Sequence, residues 1–119
     1  MLRQPLANYH FRLLFGEDYL ILTENTASVR ADFAARIVEI EMRDSRDNMV
    51  ARAVIDYIKG DRFLCWECMD GKNDSPTRSH TFTGLVLEQH SYGQDYTKAE
   101  HVIQVLIFSY EDCDTEFYT

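Results

Sequence analysis

The sequence has few of the residues that build disulfide-stapled or phosphate-binding folds. Its 119 residues include three cysteines, five glycines and two prolines. An odd number of cysteines without a secretion signal argues against a disulfide framework, and so few glycines leave little material for phosphate loops. The N-terminal residues MLRQPLANYH lack a signal-peptide core, and no apolar run approaches the ~20 residues of a membrane span. We therefore expect a soluble, unexported protein that contacts no membrane.

Basic residues are also scarce. The chain has 12 Lys and Arg against 20 Asp and Glu, a formal net charge of −8. Residues 1–59 contain eight basic and nine acidic groups, and residues 60–119 contain four and eleven. Because nucleic-acid binding usually depends on clustered Lys and Arg, this composition argues against a DNA- or RNA-binding surface. Most of the negative charge belongs to the C-terminal half.

Apolar residues are plentiful. With 45% hydrophobic and 13% aromatic residues and no low-complexity tract, the chain has the composition of an ordered globular protein. Its length is that of one domain, so we expect a single domain over residues 1–119.

Period-two patterns dominate the N-terminal third. Residues 8–15 alternate apolar and mixed positions and predict a half-buried strand, and "GED" at 16–18 predicts a hairpin turn into "YLILT". Residues 23–36 are polar and are expected to be a connection, although the spacing of Val29 and Phe33 permits a short helix. Residues 38–43, "VEIEMR", predict a strand with one apolar and one charged face. The charged face, made of Glu39, Glu41 and Arg43, must contact solvent or a partner.

A helical pattern follows. Apolar residues recur at i, i+1, i+4 and i+5 and form one stripe: Met49, Val50, Ala53, Val54, Tyr57 and Ile58. Ser45 or Asp47 is a suitable N-cap, and Gly60 suits the left-handed position that ends helices. We therefore predict an amphipathic helix at about 47–59.

The C-terminal half returns to a period of two. "RFLCWEC" predicts a strand with Leu64, Trp66 and Cys68 on its apolar face, followed by a turn-rich loop over 70–76. "SHTFTGLVLE" predicts one strand with a bulge at Gly84, and "HVIQVLIFSY", apolar on both faces, predicts a central strand covered by the helix and a facing sheet. The predicted fold is α+β, a two-sheet antiparallel β-sandwich or barrel with one main helix. Its expected core anchors are Leu64, Trp66, Tyr57 and Phe108.

The Cys65-Trp66-Glu67-Cys68 segment resembles half of a zinc site or a redox motif. A zinc finger needs a second, closely spaced ligand pair, and the histidines at 80, 90 and 101 are too far apart. Residues i and i+3 of a strand also point to opposite faces, and a redox pair needs a helix N-terminus. We find no nucleophile elbow and no His-Glu-x-x-His motif. Glu39 and Glu41 are better explained as a solvated strand face than as an acid–base pair. We therefore expect no metal, no cofactor and no enzymatic activity.

Short motifs in the final third resemble those of tail-tube and baseplate-tube proteins of bacteriophages and related contractile injection systems. The corresponding residues are Phe82-Thr83-Gly84-Leu85, the loop "EQHSYGQ", the pair Asp95-Tyr96 and the terminal strand "HVIQVLIFSYEDC". The preceding strand–helix–strand, from "VEIEMRD" to "FLCWEC", is also similar to the middle of that family. The resemblance covers residues 8–113, except that 23–36 match nothing in the family pattern.

The resemblance implies a structural subunit of a phage tail tube, or of its baseplate or connector end, that forms six-fold rings around a DNA-conducting channel. The rings would stack on each other or on other tail proteins, in the host cytoplasm during assembly and then in the virion. Glu39, Glu41 and Arg43 would line the channel or contact a neighbouring subunit, and Lys72, Asn73 and Asp74 would form an inter-ring or inter-subunit loop. An acidic channel would repel phosphates and let DNA pass without specific binding. Composition alone leaves an alternative, a small acidic binding module or inhibitor that contacts a basic protein.

Overall fold

A computed structural model describes residues 11–16, 20–59, 63–70, 75–97 and 102–118. In these residues the chain forms eight strands, one α-helix and a short 3-10 helix at Leu20–Asn25. The strands are β1 (Phe11–Phe15), β2 (Thr26–Asp32), β3 (Ile37–Arg43), β4 (Leu64–Asp70), β5 (Ser75–Thr83), β6 (Val86–Tyr92), β7 (Ile103–Ser109) and β8 (Asp112–Phe117), and the helix is α1 (Met49–Lys59).

The strands form two antiparallel four-stranded sheets. The first sheet has the order β1-β4-β5-β8 and the second has the order β2-β3-β7-β6. In the part of the chain that the structure describes, neither sheet closes into a barrel. The predicted α+β sandwich with one main helix is therefore confirmed.

One apolar core joins the two sheets and the helix. Alternate residues of β3 and β7 are buried beneath α1, and Tyr57 of the helix lies edge-on to Phe15 and Phe108, with ring centroids 4.9 and 6.1 Å away. The Tyr57 hydroxyl donates a hydrogen bond to the Phe63 carbonyl oxygen at 2.9 Å. Of the expected anchors, Leu64, Phe108 and Tyr57 are buried, whereas Trp66 is half-buried at the edge of the core.

The start of α1 has the predicted capping chemistry. The Met49 N–H donates to Asp47 Oδ1 at 3.0 Å, and the Val50 N–H donates to Ser45 Oγ at 3.2 Å. Hydrogen bonds from the Ser45 hydroxyl and the Met49 N–H lower the pKa of the Asp47 carboxyl. The helix itself begins at Met49, two residues after the predicted start. Gly60 lies outside the described residues.

The predicted hairpin of β1 with "YLILT" is wrong. Residues 20–25 form the 3-10 helix, and β1 pairs instead with β4, with Leu13 opposite Trp66. Thr23, within that helix, uses its hydroxyl to bond the Leu13 backbone. The Thr23 side chain therefore bonds the backbone of β1 where the predicted hairpin partner strand would have done so.

The segment 23–36 is not the connection that we expected. It contains β2, which pairs antiparallel with β3 through a tight turn at 33–36, and Arg36 in that turn has a φ of 57°. The apolar residues on the inner face of β2 are small or partly buried, so their alternation is weak in the sequence. Tertiary pairing with β3 decides the conformation of this segment.

The predicted continuous strand through Gly84 is also wrong, and Gly84 is not a bulge. The chain leaves the first sheet at Thr83 and enters the second sheet at Val86, with Gly84 at a φ of +66° between them. β6 then extends to Tyr92, so most of "EQHSYGQ", expected as a loop, is strand. The left-handed conformation that glycine readily adopts allows the change of sheet.

β7 is central in its sheet, as predicted, but it is covered on one face only. Gln104, Leu106 and Phe108 are buried against the core, whereas Ile103, Val105 and Ile107 are only half-buried on the opposite face. The described residues cover that second face only in part. β7 therefore has apolar side chains on both faces, and those on its outer face stay partly exposed in the described structure.

Candidate functional site

The outer face of the second sheet combines apolar and charged side chains in register. Strand pairing places Glu39 between Arg30 of β2 and Ile107 of β7, and Glu41 between Ser28 and Val105. Directly opposed side chains in antiparallel sheets have Cβ atoms about 4.5–5.5 Å apart, so each carboxylate lies beside a branched apolar side chain. The arrangement is an apolar stripe along β7 with carboxylates along its β3 side.

The three charged residues predicted from "VEIEMR" therefore lie on one face. Glu39 and Glu41 are half-buried, and Arg43 is exposed at the end of β3, opposite Ile103. Ile37 extends the same face at the other end of the strand and is 37% exposed. A half-buried apolar stripe with flanking charges is typical of a surface that meets another protein.

Both edges of the second sheet are open in the described structure. β2 forms one edge and β6 the other, and each has seven residues. An open edge presents a row of backbone donors and acceptors that can pair with another chain. The sheet therefore offers one mixed face and two pairing edges.

The predicted loop residues Lys72, Asn73 and Asp74 lie outside the described residues. β4 ends just before them at Asp70 and β5 begins just after them at Ser75. Pro76, expected in the loop, lies within β5 opposite Met69, next to a register shift at Cys68 and Met69.

The Cys65-Cys68 segment lies in β4, and its two sulfurs face different surroundings. Cys65 pairs with Leu14 and Thr81 and is half-buried, whereas Cys68 is buried opposite Phe11. Burial raises the pKa of the Cys65 thiol, and a weak bond from the Thr81 hydroxyl only partly opposes this rise. A thiol with a raised pKa is a poor nucleophile at neutral pH. Within the described residues, no three His, Cys, Asp or Glu side chains are grouped so that they could hold a metal ion.

The sequence analysis missed a buried polar chain beside α1. Gln104 is 2% exposed; its amide nitrogen donates to Asp44 Oδ2 at 2.9 Å, and its amide oxygen lies 2.8 Å from His90 Nε2. This chain forms the floor of an open cavity of about 500 Å³ between the start of α1 and the ends of β6 and β7. In the sequence, Gln104 is a polar residue within an otherwise apolar strand, and this exception is the signal that would have indicated a buried polar group.

A second missed feature is the row of carboxylates on β8. Asp112, Asp114 and Glu116 alternate along the strand and so share one face of the first sheet. The alternation of acidic residues in "EDCDTEF" is the sequence signal for this row. On the same sheet, Arg12 and Glu67 form an ion pair at 3.0 Å, an interaction worth about 0–1 kcal/mol because Arg12 is 42% exposed.

Comparison with solved structures relates this fold to proteins of contractile injection systems. The chain is similar to a chain in the structure of an extracellular contractile injection system, the PVC sheath/tube terminator in its extended state. The TM-score is 0.71 and the identity is 7%, and the match covers 98% of this chain and 99% of that chain. It is similar to the tube-terminating cap of the anti-feeding prophage, with a TM-score of 0.72 and 10% identity over 99% and 95%. It is also similar to Hcp2 from Salmonella typhimurium, with a TM-score of 0.58 and 11% identity over 90% and 85%.

The sequence itself gives no such match. No family model matches the chain, and no curated protein matches it at a significant level. The likeness therefore lies in the fold, which is a tail-tube-like fold. Among the described residues, no helix is long and apolar enough to cross a membrane.

Proposed function

We propose that the protein is a structural, non-enzymatic subunit of a phage tail or a phage-like injection particle, and that its copies close into a ring around a channel. The proposal is supported by the likeness in fold to terminator, cap and baseplate chains of contractile injection systems. The observation that carries it is the second sheet, with two open edges of equal length and a mixed outer face.

The strand directions of this sheet suit a head-to-tail ring. Each strand is antiparallel to its neighbour, and the sheet has four strands, so β2 and β6 run in opposite directions. If β6 of one copy lies beside β2 of the next, the pair is again antiparallel and the sheet continues without interruption. A rotation that repeats this contact closes a ring and pairs both edges.

In such a ring one face of the continuous sheet is turned toward the channel. We assign the outer face of the second sheet to this role, because α1 and the first sheet cover its other face. Glu39 and Glu41 would then line the channel, and Arg43 would lie at its rim or at a subunit contact. A lining with carboxylates repels phosphate groups, so DNA would pass without specific binding.

The remaining parts of the proposal follow from the family resemblance. The ring has six copies, and it stacks on itself or on other tail proteins, with Lys72, Asn73 and Asp74 at the contact between rings. Assembly takes place in the host cytoplasm, and the mature location is the tail of the particle. The role needs neither a cofactor nor a catalytic residue.

The proposal is tested by light scattering and negative-stain microscopy of the purified full chain over a wide range of concentration. We expect a ring-sized species that grows at the expense of the monomer. A protein that stays monomeric at every concentration and in the presence of its own tail proteins would exclude the ring.

A second candidate function is a small acidic module that binds a basic protein. The carboxylate row of β8 favours it, because this row needs no ring. If the chain stays monomeric but retains a basic partner in a salt-sensitive manner, this second function is preferred.

A further inference from the structure

The outer edge of β8 is a further place, on the first sheet, where the described structure leaves a strand edge unpaired. β8 is an edge strand of the first sheet, and within the described residues it pairs on one side only, with β5. On its other side, the backbone N–H and C=O groups of β8 have no strand partner among the described residues. An edge of this kind accepts an extended segment from another chain by adding one strand to the sheet.

One face of β8 selects the charge of that segment. Asp112, Asp114 and Glu116 project from this face, and their neighbours across β5 are Thr83, Thr81 and Ser79. None of these neighbours carries a charge, so β5 offers the carboxylates no cation. The positions across from these carboxylates on the other side of β8 would be filled by an added strand. On that strand, positively charged side chains would be favourable and negatively charged ones unfavourable.

The other face of β8 lies beside exposed aromatic side chains. Cys113 and Thr115 of this face line a cavity of about 310 Å³ with Phe33, Tyr110 and the charged residues Arg36, Glu111 and Asp112. Phe33, from the β2–β3 turn, contacts the His80 ring at a tilt of 52° with ring centroids 5.2 Å apart and is still 51% exposed, and Phe117 is 68% exposed. Apolar side chains from an added strand would cover this exposed aromatic surface.

We propose that β8 binds a strand from a different protein in which basic and apolar residues alternate. Its basic side chains lie beside Asp112, Asp114 and Glu116, and its apolar side chains pack toward Phe33 and Phe117. A second copy of β8 is a poor occupant, because carboxylates from the two copies would lie side by side. This binding surface lies on the first sheet and does not depend on the ring proposed for the second sheet.

The test uses the full-length chain and a capped peptide of alternating lysine and valine, as long as β8. Titration is followed by calorimetry and by backbone NMR shifts. We expect saturable binding with the largest shifts at residues 112–117. Asp114→Lys should weaken the binding by roughly tenfold or more, because it turns an attractive cross-strand pair into a repulsive one. Circular dichroism verifies that the variant is folded.

Three controls separate strand pairing from simple charge attraction. Asp56→Lys, on the exposed face of α1, makes the same change in net charge and should leave the affinity within about twofold of the parent. A peptide with every backbone nitrogen methylated keeps its charge, loses the N–H donors of both edges and should not bind. A glutamate–valine peptide should not bind either.

The proposal is overturned if the lysine–valine peptide does not bind, or if the methylated peptide binds as well as the parent. It is also overturned if Asp56→Lys weakens binding as much as Asp114→Lys does. In any of these cases the carboxylates only protect an open edge against aggregation.

Discussion

The hydroxyl of Thr23 bonds both backbone groups of Leu13. Its oxygen lies 3.2 Å from the Leu13 nitrogen, which donates to it, and 2.8 Å from the Leu13 carbonyl oxygen, to which it donates. Leu13 is fully buried, so its backbone would otherwise lack a partner away from water. One side chain thus completes the hydrogen bonding at this point on the edge of β1.

Replacing Thr23 by valine should therefore destabilise the fold. The variant leaves a buried N–H and a buried C=O unpaired, and we expect a loss of about 1–3 kcal/mol in the free energy of unfolding. Thr23→Ser keeps the hydroxyl and should lose clearly less. Urea unfolding of both variants measures the difference, and equal losses would mean that the hydroxyl contributes nothing.

Gly84 should tolerate no side chain. Its φ of +66° disfavours other residues, and a Cβ there would lie 2.7 Å from Cβ and Cγ of Glu111. We expect Gly84→Ala to lower the free energy of unfolding by about 1–3 kcal/mol. Gly93 is the matched control, since a Cβ there meets nothing within 4 Å. Gly93→Ala should change stability by less than about 0.5 kcal/mol, and similar losses for the two alanine variants would contradict this explanation.

His80 should make stability depend on pH. Burial, and secondarily the charge of Arg78, lowers the pKa of the His80 imidazole below its usual value of 6.5. The unfolded chain therefore binds the proton more readily, and the contribution of His80 to stability is lost as the pH falls from 6.5 through the lower folded pKa. Unfolding curves across this range should show a smaller acid-side loss for His80→Gln than for the parent. If the free energies of unfolding of the parent and the variant change with pH in the same way, His80 does not cause the acid-side loss.

If the outer face of the second sheet lines the channel, replacing one of its carboxylates by a positively charged side chain should increase DNA binding. In assembled rings, Glu41→Lys places a repeated positive charge in the channel and should slow the passage of DNA or retain it, in a salt-dependent manner. Asp56→Lys makes the same charge change on α1, on the far side of the sheet, and should have a much smaller effect. Gel mobility and filter binding measure both variants. Equal retention by the two variants would show that net charge, and not the channel, controls the binding.

The parts of the fold that were predictable are those with strong periodicity. β3, β7 and α1 bury regular apolar rows such as Val38, Ile40 and Met42, and such rows are visible in the sequence. β2 was not predicted because its inner face contains small residues and because its pairing with β3, through the tight turn at 33–36, outweighs local preference. The sequence does not distinguish the break at Gly84 from a bulge, because a change of sheet and a bulge both favour glycine at positive φ.

The candidate site was predictable in part. Glu39, Glu41 and Arg43 share a face because of strand geometry, and this follows directly from alternation. Which strand lies beside them does not follow, because register depends on tertiary pairing. The half-buried face of β7 and the carboxylates of β8 therefore became meaningful only with the sheet order in hand.

The central claim, head-to-tail closure of the second sheet, is tested most directly by disulfide trapping between copies. One variant carries Arg30→Cys on β2 and the other carries Ser91→Cys on β6, and in both Cys65 and Cys113 are replaced by serine. Neighbouring exposed positions of each strand are scanned in the same way to find the register. After mild oxidation, mixtures of a β2 variant with a β6 variant should give covalent dimers at one register, and a chain with both cysteines should give a ladder that ends at the ring. Dimers from each variant alone, with none specific to the mixture, would contradict the proposed ring.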